Sequence, residues 1–176
     1  ADNPAVMIAH INEAKSLSIP YIFDPGQQII ALEPTDLRSG IKDAEILILN
    51  EYEWQIIEEK LGLTTEAVVA QVKVLIVTYG EKGSKIYTKE NTVAIPAVKP
   101  LQTVDPTGAG DAYRGAFLRL YSLGCSLELS GQAGSLAATY CLERSGTQNY
   151  SYTIREFIDR FERHFKDSGK LELLHT

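Results

Sequence analysis

The sequence predicts an α/β fold, with a mostly parallel, doubly wound sheet covered by helices in three layers. Two observations support this prediction. Short apolar runs bounded by turn residues alternate with segments of helical periodicity, as buried parallel strands and their crossover helices do. In addition, the strand-rich first half of the chain is followed, after Arg119, by almost only helical patterns. We expect one domain spanning residues 1–176, which is long enough for a sizeable core.

The predicted elements alternate along the chain. Buried strands are expected at residues 21–23, 44–49 and 74–78. Helical periodicity extends over residues 4–18, 34–43, 64–72, 127–143 and 153–166, and over a segment that ends near Leu61. Two further strands, at about 84–88 and 91–95, directly follow a turn with two glycines, which is typical of a hairpin.

Composition excludes several classes of partner. A net charge of −6 and a pI near 5.1 argue against a surface for nucleic acid or for anionic membranes. No apolar run approaches the length of a membrane span, and the first residues lack the pattern of a signal peptide. Cys125 and Cys141 have no metal-ligand spacing, so we expect two reduced thiols in a cytoplasmic protein.

The stretch TVDPTGAGDAYRGAFLR, residues 103–119, carries the strongest chemical signal. Gly108, Ala109 and Gly110 precede an amphipathic helix, and small residues leave backbone N–H groups at a helix start open to an anion. Asp111 at the mouth of such a cradle could take a proton from an attacking hydroxyl. The alternative is that Asp111 only caps the helix and the glycines only shape a turn.

Two weaker patterns follow buried strands. Asn50 and Glu53 lie three residues apart at the end of the second strand, where they could hold water ligands of Mg²⁺ or, alternatively, cap a helix. Gly80 and Gly83 follow Thr78 at the end of the third strand, where they could approach a nucleotide, shape a hairpin loop, or do both. The chain has neither a P-loop nor a complete dinucleotide fingerprint.

The run Asp105–Asp111, followed by Gly115–Leu118, resembles the C-terminal signature of the PfkB (ribokinase-like) family, which comprises ATP-dependent kinases of sugars and nucleosides. Within that family, Phe23–Gln27 and Gly146–Asn149 look most similar to bacterial adenosine kinases. The resemblance implies a ribokinase-like fold and phosphoryl transfer to a primary hydroxyl, with adenosine converted to AMP. Another nucleoside or a sugar as acceptor, and nucleotide binding without catalysis, remain alternatives.

The resemblance also implies roles for individual residues. Asp111 would be the catalytic base, and Gly108, Ala109 and Gly110 would stabilise charge on the transferred phosphoryl group. Asn50 and Glu53 would organise Mg²⁺. The residues expected to contact ATP are Thr78, Gly80, Gly83, Asp105, Thr107, Gly146 and Asn149. Loop carbonyls near Gly146 could bind a monovalent cation such as K⁺.

Members of this family are roughly twice as long as this chain. We therefore expect the chain to be the C-terminal, nucleotide-binding half of a kinase, without the N-terminal half that carries the lid and most acceptor contacts. That N-terminal half is an expected partner, and the chain alone should be inactive because no lid excludes water from the transfer.

Overall fold

The computed structural model describes residues 3–165 together with Leu171 and Leu174. The fold is α/β, with one mixed five-stranded sheet whose strands lie in the order β1-β2-β3-β4-β5. The strands are β1 (Ile22–Phe23), β2 (Ile46–Asn50), β3 (Val74–Thr78), β4 (Ser84–Tyr87) and β5 (Thr92–Ile95). The predicted fold class and all five predicted strands are thus confirmed, with bounds that shift by at most two residues.

The described residues form seven α-helices and two short 3₁₀ helices. The α-helices are α1 (Pro4–Ser16), α2 (Pro34–Ile41), α3 (Glu51–Leu61), α4 (Thr65–Val69), α5 (Ala109–Ser122), α6 (Leu127–Leu142) and α7 (Ile154–Phe165). The 3₁₀ helices are Gly26–Ile30 and Gly80–Lys82. Polar side chains cap several of the helix starts, because the first backbone N–H groups have no partner within a helix. Asn3, Thr64 and Ser126 accept such bonds for α1, α4 and α6.

Strand pairing explains where polar side chains meet. β1 pairs with β2, and β2 with β3, in parallel, whereas β3 pairs with β4 in antiparallel orientation. The β2–β3 register runs from Ile46 opposite Val74 to Asn50 opposite Thr78. The carboxyl ends of β2 and β3 are therefore level, so the side chains that follow these two strands emerge at one edge of the sheet.

The chain divides into two compact units. The first comprises the residues up to Gly80 together with Ser84–Ala94. Its core consists of fully buried side chains from strands and helices, including Phe23, Leu37, Leu47, Ile57 and Leu75. Burial of each such side chain stabilises the fold by about 1.5–3 kcal/mol.

The second unit comprises Glu81–Gly83 and the residues from Ile95 onward, and it contains α5, α6 and α7. Phe117, Leu136 and Phe161 are completely buried in it. α5 and α6 pack so closely that a Cβ added to Gly134 would lie 2.9 Å from the carbonyl oxygen of Tyr113. The absence of a side chain at Gly134 thus allows this close packing. The prediction that residues 1–176 are one domain stays a prediction.

The described residues contain neither a membrane-spanning helix nor a metal-binding cluster. Among the helices in the described part of the chain, none is both long and apolar enough to cross a bilayer. Over the same residues, no three His, Cys, Asp or Glu side chains converge as a metal-binding group.

Candidate active site

The start of α5 is built by a glycine in the left-handed region. Gly108 is the N-cap residue with φ of 86°, and it makes no side-chain cap. A Cβ at this position would also lie 3.0 Å from Cβ of Thr147. A residue with a side chain would therefore strain the backbone and press on the neighbouring loop.

Backbone donors at this helix start remain available to a ligand. Ala109 donates its N–H to the carbonyl of Pro106, and Ala112 donates to Gly108. Within the described residues, the N–H groups of Gly110 and Asp111 have no acceptor. A Cβ at Gly110 would meet nothing within 4 Å. The helix start thus has the open donors and the positive dipole end that fit a phosphate group.

Asp111 lies inside the first turn of α5, two residues after its first residue. The alternative interpretation of Asp111 as the helix cap is wrong, because Gly108 takes that position. The Asp111 side chain is 72% exposed, and its Oδ1 accepts a hydrogen bond from Arg114 Nη2. Its Oδ2 makes no hydrogen bond in the described part of the chain. Asp111 therefore offers one carboxylate oxygen to solvent beside the open N–H groups.

Asp105 differs from Asp111 in how its carboxylate is used. Its Oδ1 accepts a hydrogen bond from the Thr107 N–H at 2.9 Å, and its Oδ2 accepts one from the Gly146 N–H at 2.9 Å. These bonds, first from Gly146 and then from Thr107, hold the pKa of Asp105 below its ordinary range because they favour the charged form. Asp105 thereby joins the loop before α5 to the loop after α6.

The loop after α6 is shaped by its own residues. Gly146 has φ of 86°, and a Cβ there would lie 2.7 Å from Nδ2 of Asn149. Asn149 Nδ2 donates to the carbonyl of Ser145 at 2.8 Å. Both predicted nucleotide contacts in this loop, Gly146 and Asn149, thus contribute to its conformation. Their contact with a nucleotide stays a prediction.

Sequence reasoning gave no role at this site to Cys141 or Thr147. Cys141 is buried, and its Sγ lies 3.4 Å from the carbonyl oxygen of Thr107 and 3.9 Å from that of Thr147. Burial raises the pKa of the Cys141 thiol, with smaller effects of the Asp105 and Asp111 carboxylates. The sequence contains no signal for these contacts, since they join residues up to 34 positions apart.

In the first unit, Asn50 and Glu53 form a capping box at the start of α3. Asn50 Oδ1 accepts from the Glu53 N–H, and Glu53 Oε2 accepts from the Asn50 N–H, both at 2.8 Å. The capping alternative is therefore correct. It does not remove the metal hypothesis, because each of these oxygens has a further lone pair and carboxylate and amide oxygens fit the water shell of Mg²⁺. That role stays a prediction.

Thr78 lies directly opposite Asn50 in the β2–β3 register, so the first unit brings Asn50, Glu53 and Thr78 to one sheet edge. Gly80 has φ of 58°, and a Cβ there would meet nothing within 4 Å.

In the second unit, Gly83 has φ of 89°, and a Cβ there would lie 2.0 Å from the carbonyl oxygen of Ile95. Gly83 is therefore required by the backbone itself. Contact of Gly80 and Gly83 with a nucleotide stays a prediction.

Known proteins with a similar sequence or fold identify the family of this chain. Residues 3–154 match the pfkB family of carbohydrate kinases. The chain belongs to the PfkB family. The predicted family and ribokinase-like fold are thus confirmed.

The similar proteins include several kinases named for nucleosides. The nucleoside kinase of Methanocaldococcus jannaschii is 37% identical over 142 residues, which are 81% of this chain and 47% of that protein. The cytidine kinase of Thermococcus kodakarensis is 31% identical over 157 residues, 86% of this chain and 55% of that protein. The chain thus spans about half the length of the curated relatives it matches.

The fold of this chain is also similar to that of a nucleoside kinase of known structure. Burkholderia thailandensis nucleoside kinase in complex with inosine superimposes with a TM-score of 0.88 at 34% identity, covering 91% of this chain and 54% of that one. The same enzyme in complex with ADP-inosine gives a TM-score of 0.89. The likeness therefore extends to nucleoside kinases, while a specific likeness to adenosine kinases is not shown.

Proposed function

We propose that this chain carries the phosphoryl-transfer site of an ATP-dependent nucleoside kinase. The observation that carries the proposal is the start of α5, where the N–H groups of Gly110 and Asp111 have no acceptor in the described residues and an exposed carboxylate lies beside them. Donors of this kind stabilise the charge on a transferring phosphoryl group without reorganising. The proposed cradle comprises the backbone N–H groups of Gly108, Ala109 and Gly110, extended by that of Asp111. The Ala109 N–H already donates to the carbonyl of Pro106, so the open donors of the cradle are those of Gly110 and Asp111.

Asp111 is the proposed general base. It accepts the proton of the acceptor's primary hydroxyl through its outward carboxylate oxygen, while that hydroxyl oxygen forms a bond to the γ-phosphorus and the bond to the β-phosphate oxygen breaks. ADP leaves, and the proton remains on Asp111 until solvent removes it. Arg114 holds the other carboxylate oxygen and so fixes the rotamer of Asp111.

ATP is the proposed donor, in contact with Thr78, Gly80, Gly83, Asp105, Thr107, Gly146 and Asn149. Asn50 and Glu53 would hold Mg²⁺ through its waters, and Mg²⁺ supplies charge neutralisation of the phosphates when bound. The carbonyl oxygens around Gly146 are ligands of the type that fit a monovalent cation such as K⁺.

Adenosine is the proposed acceptor, in a purine-salvage reaction in the cytoplasm. This choice rests on the resemblance of Phe23–Gln27 and Gly146–Asn149 to adenosine kinases and on relatives named for nucleosides. A sugar acceptor is the alternative. The complete gene product should be offered adenosine, inosine, cytidine and ribose, and faster turnover of ribose than of all three nucleosides would contradict the nucleoside assignment.

Because the chain spans about half the length of its relatives, we also propose that acceptor binding and lid closure need a further segment of comparable length. The 176-residue chain should bind ADP, seen as a rise in unfolding temperature, and should not turn ATP over. Turnover by the chain alone at the rate of the complete gene product would refute this part.

Substitution of Asp111 tests the chemical role. In the complete gene product, Asp111→Asn should lower kcat by about 10²- to 10⁴-fold because the base is lost while size and shape are kept. Asp159→Asn is the matched control, since Asp159 is an exposed carboxylate on α7. A decrease of less than a few-fold for Asp111→Asn would rule out the assignment.

A further inference from the structure

Two loops of the second unit are joined by side-chain contacts. We call residues 103–108, which precede α5, the signature loop, and residues 144–149, which follow α6, the distal loop. The N–H of Val104 donates to the carbonyl of Leu142 at 2.8 Å, which brings the signature loop to the end of α6. The remaining connections come from Asp105 and Cys141.

The Asp105 carboxylate bridges the loops because each oxygen accepts from a different one. Its Oδ1 bonds the N–H of Thr107 in the signature loop, and its Oδ2 bonds the N–H of Gly146 in the distal loop. A carboxylate that accepts two backbone N–H groups fixes both backbones relative to itself.

Cys141 makes the second connection. Its thiol lies between the carbonyl oxygens of Thr107 and Thr147, at 3.4 and 3.9 Å, and it is completely buried. A thiol has one proton, so it donates mainly to the nearer carbonyl and contacts the farther one more weakly. Burial, with smaller effects of Asp105 and Asp111, raises the pKa of this thiol, which keeps it protonated and able to donate.

We infer that Cys141 is a positioning residue that, with Asp105, latches the distal loop to the signature loop. The latch makes the conformations of the two loops depend on each other, so that order in one favours order in the other. The consequence for ligands rests on the proposed function: a nucleotide held at the distal loop would find the N–H cradle at the start of α5 already ordered. Such coupling is reciprocal by thermodynamic necessity.

The first test needs no ligand. Amide hydrogen exchange of the 176-residue chain is compared for Cys141→Ala, Cys141→Ser and the control Cys125→Ala, which alters the other, partly exposed cysteine. Cys141→Ala should accelerate exchange in peptides covering both loops by about 2- to 10-fold, the range for one hydrogen bond. Cys141→Ser should restore slow exchange because its hydroxyl can donate, and Cys125→Ala should change neither loop.

Simple packing by Cys141 gives a different result. If only its volume matters, Ser should be no better than Ala, and exchange should accelerate through the core of the second unit, α7 included. Either outcome, or acceleration confined to one loop, would overturn the inference. Asp105→Asn provides an independent variant: the double variant with Cys141→Ala should loosen the loops no more than the stronger single variant, because both contacts act on one connection.

A second measurement separates the latch from the proposed function. ADP affinity is measured for the same variants by isothermal titration, and Cys141→Ala should weaken it by about 2- to 10-fold with rescue by Ser. If the unaltered chain does not bind ADP while the exchange pattern holds, the proposed function fails and the latch stands. If ADP binds and no Cys141 variant changes either measurement, the latch fails and the proposed function stands.

Discussion

Replacing Gly110 by alanine should separate the stability of the fold from the binding of phosphate. Gly110 is the second residue of α5, and its φ is not positive, so an alanine can adopt its backbone conformation. A Cβ added there meets nothing within 4 Å. Cα–Cβ bonds in a helix tilt toward its N-terminus, so the new methyl group would stand beside the N–H groups of Gly110 and Asp111, which are the open donors of the proposed cradle.

Two magnitudes are expected for Gly110→Ala: a change in the stability of the unliganded chain and a change in its stabilisation by ADP. Alanine is favoured over glycine in a helix and restricts the unfolded chain, so Gly110→Ala should stabilise the protein by about 0.4–1 kcal/mol. For a chain of this length that raises the unfolding temperature by roughly 1–4 °C. ADP at a hundredfold excess over its Kd should add about 2.7 kcal/mol to the unaltered chain and much less to the variant.

The assay is thermal unfolding with and without ADP, and Gly115→Ala is the matched control. Gly115 lies in the same helix, is exposed, and also offers open space to a Cβ. The Gly115→Ala variant should gain similar stability and keep the rise in unfolding temperature that ADP causes in the unaltered chain. Gly108→Ala is the opposite case, because its φ of 86° and the contact with Thr147 make it destabilising. Equal ADP responses in Gly110→Ala and Gly115→Ala, or a large loss of stability in Gly110→Ala, would refute the cradle.

Three further substitutions follow from the contacts. Glu143→Gln should lower the free energy of unfolding, measured with denaturant, by about 3 kcal/mol. The reason is that Arg160, whose side chain is only 13% exposed, loses its charge partner. A decrease below about 1 kcal/mol would contradict this prediction. The pKa of Asp105 is lowered in the fold, so the ionised carboxylate stabilises the fold at neutral pH, and this stabilisation is lost as pH falls below about 4. The difference in unfolding temperature between the unaltered chain and Asp105→Asn should therefore shrink from pH 7 to pH 3. A difference that stays constant over this range would contradict a stabilising role of the carboxylate. Glu53→Gln should keep the capping box with Asn50 and hence the unfolding temperature. In the complete gene product, it should raise the Mg²⁺ concentration needed for half-maximal turnover. A loss of stability without a change in Mg²⁺ dependence would leave Glu53 with the capping role alone.

Periodicity predicted the fold well because the strands are buried on both sides. β2 and β3 are nearly pure apolar runs, as expected where helices cover a parallel sheet. Local chemistry was equally visible, because Asn50 and Glu53 form the capping box that the sequence analysis gave as an alternative. These features depend on neighbours within four residues, which is the range over which sequence patterns carry direct information.

The connections at the candidate site lie beyond that range. Asp105 bonds Gly146, which is 41 residues away, and Cys141 bonds Thr107 across 34. The sequence predicted that both loops approach a nucleotide, but only through a family resemblance. Which side chains hold the loops together depends on how α5 packs on α6, and no local pattern contains that packing.

The two aspartates of the signature show why packing decides roles. Asp105 and Asp111 are the same residue type six positions apart, and either could serve as a base on chemical grounds. Both oxygens of Asp105 accept backbone N–H groups, and its pKa is lowered, so taking a proton would break a bond that holds a loop. Asp111 is 72% exposed and has one oxygen paired with Arg114. A base needs an oxygen that can accept a proton without costing the fold a contact, and on that criterion the geometry favours Asp111 over Asp105.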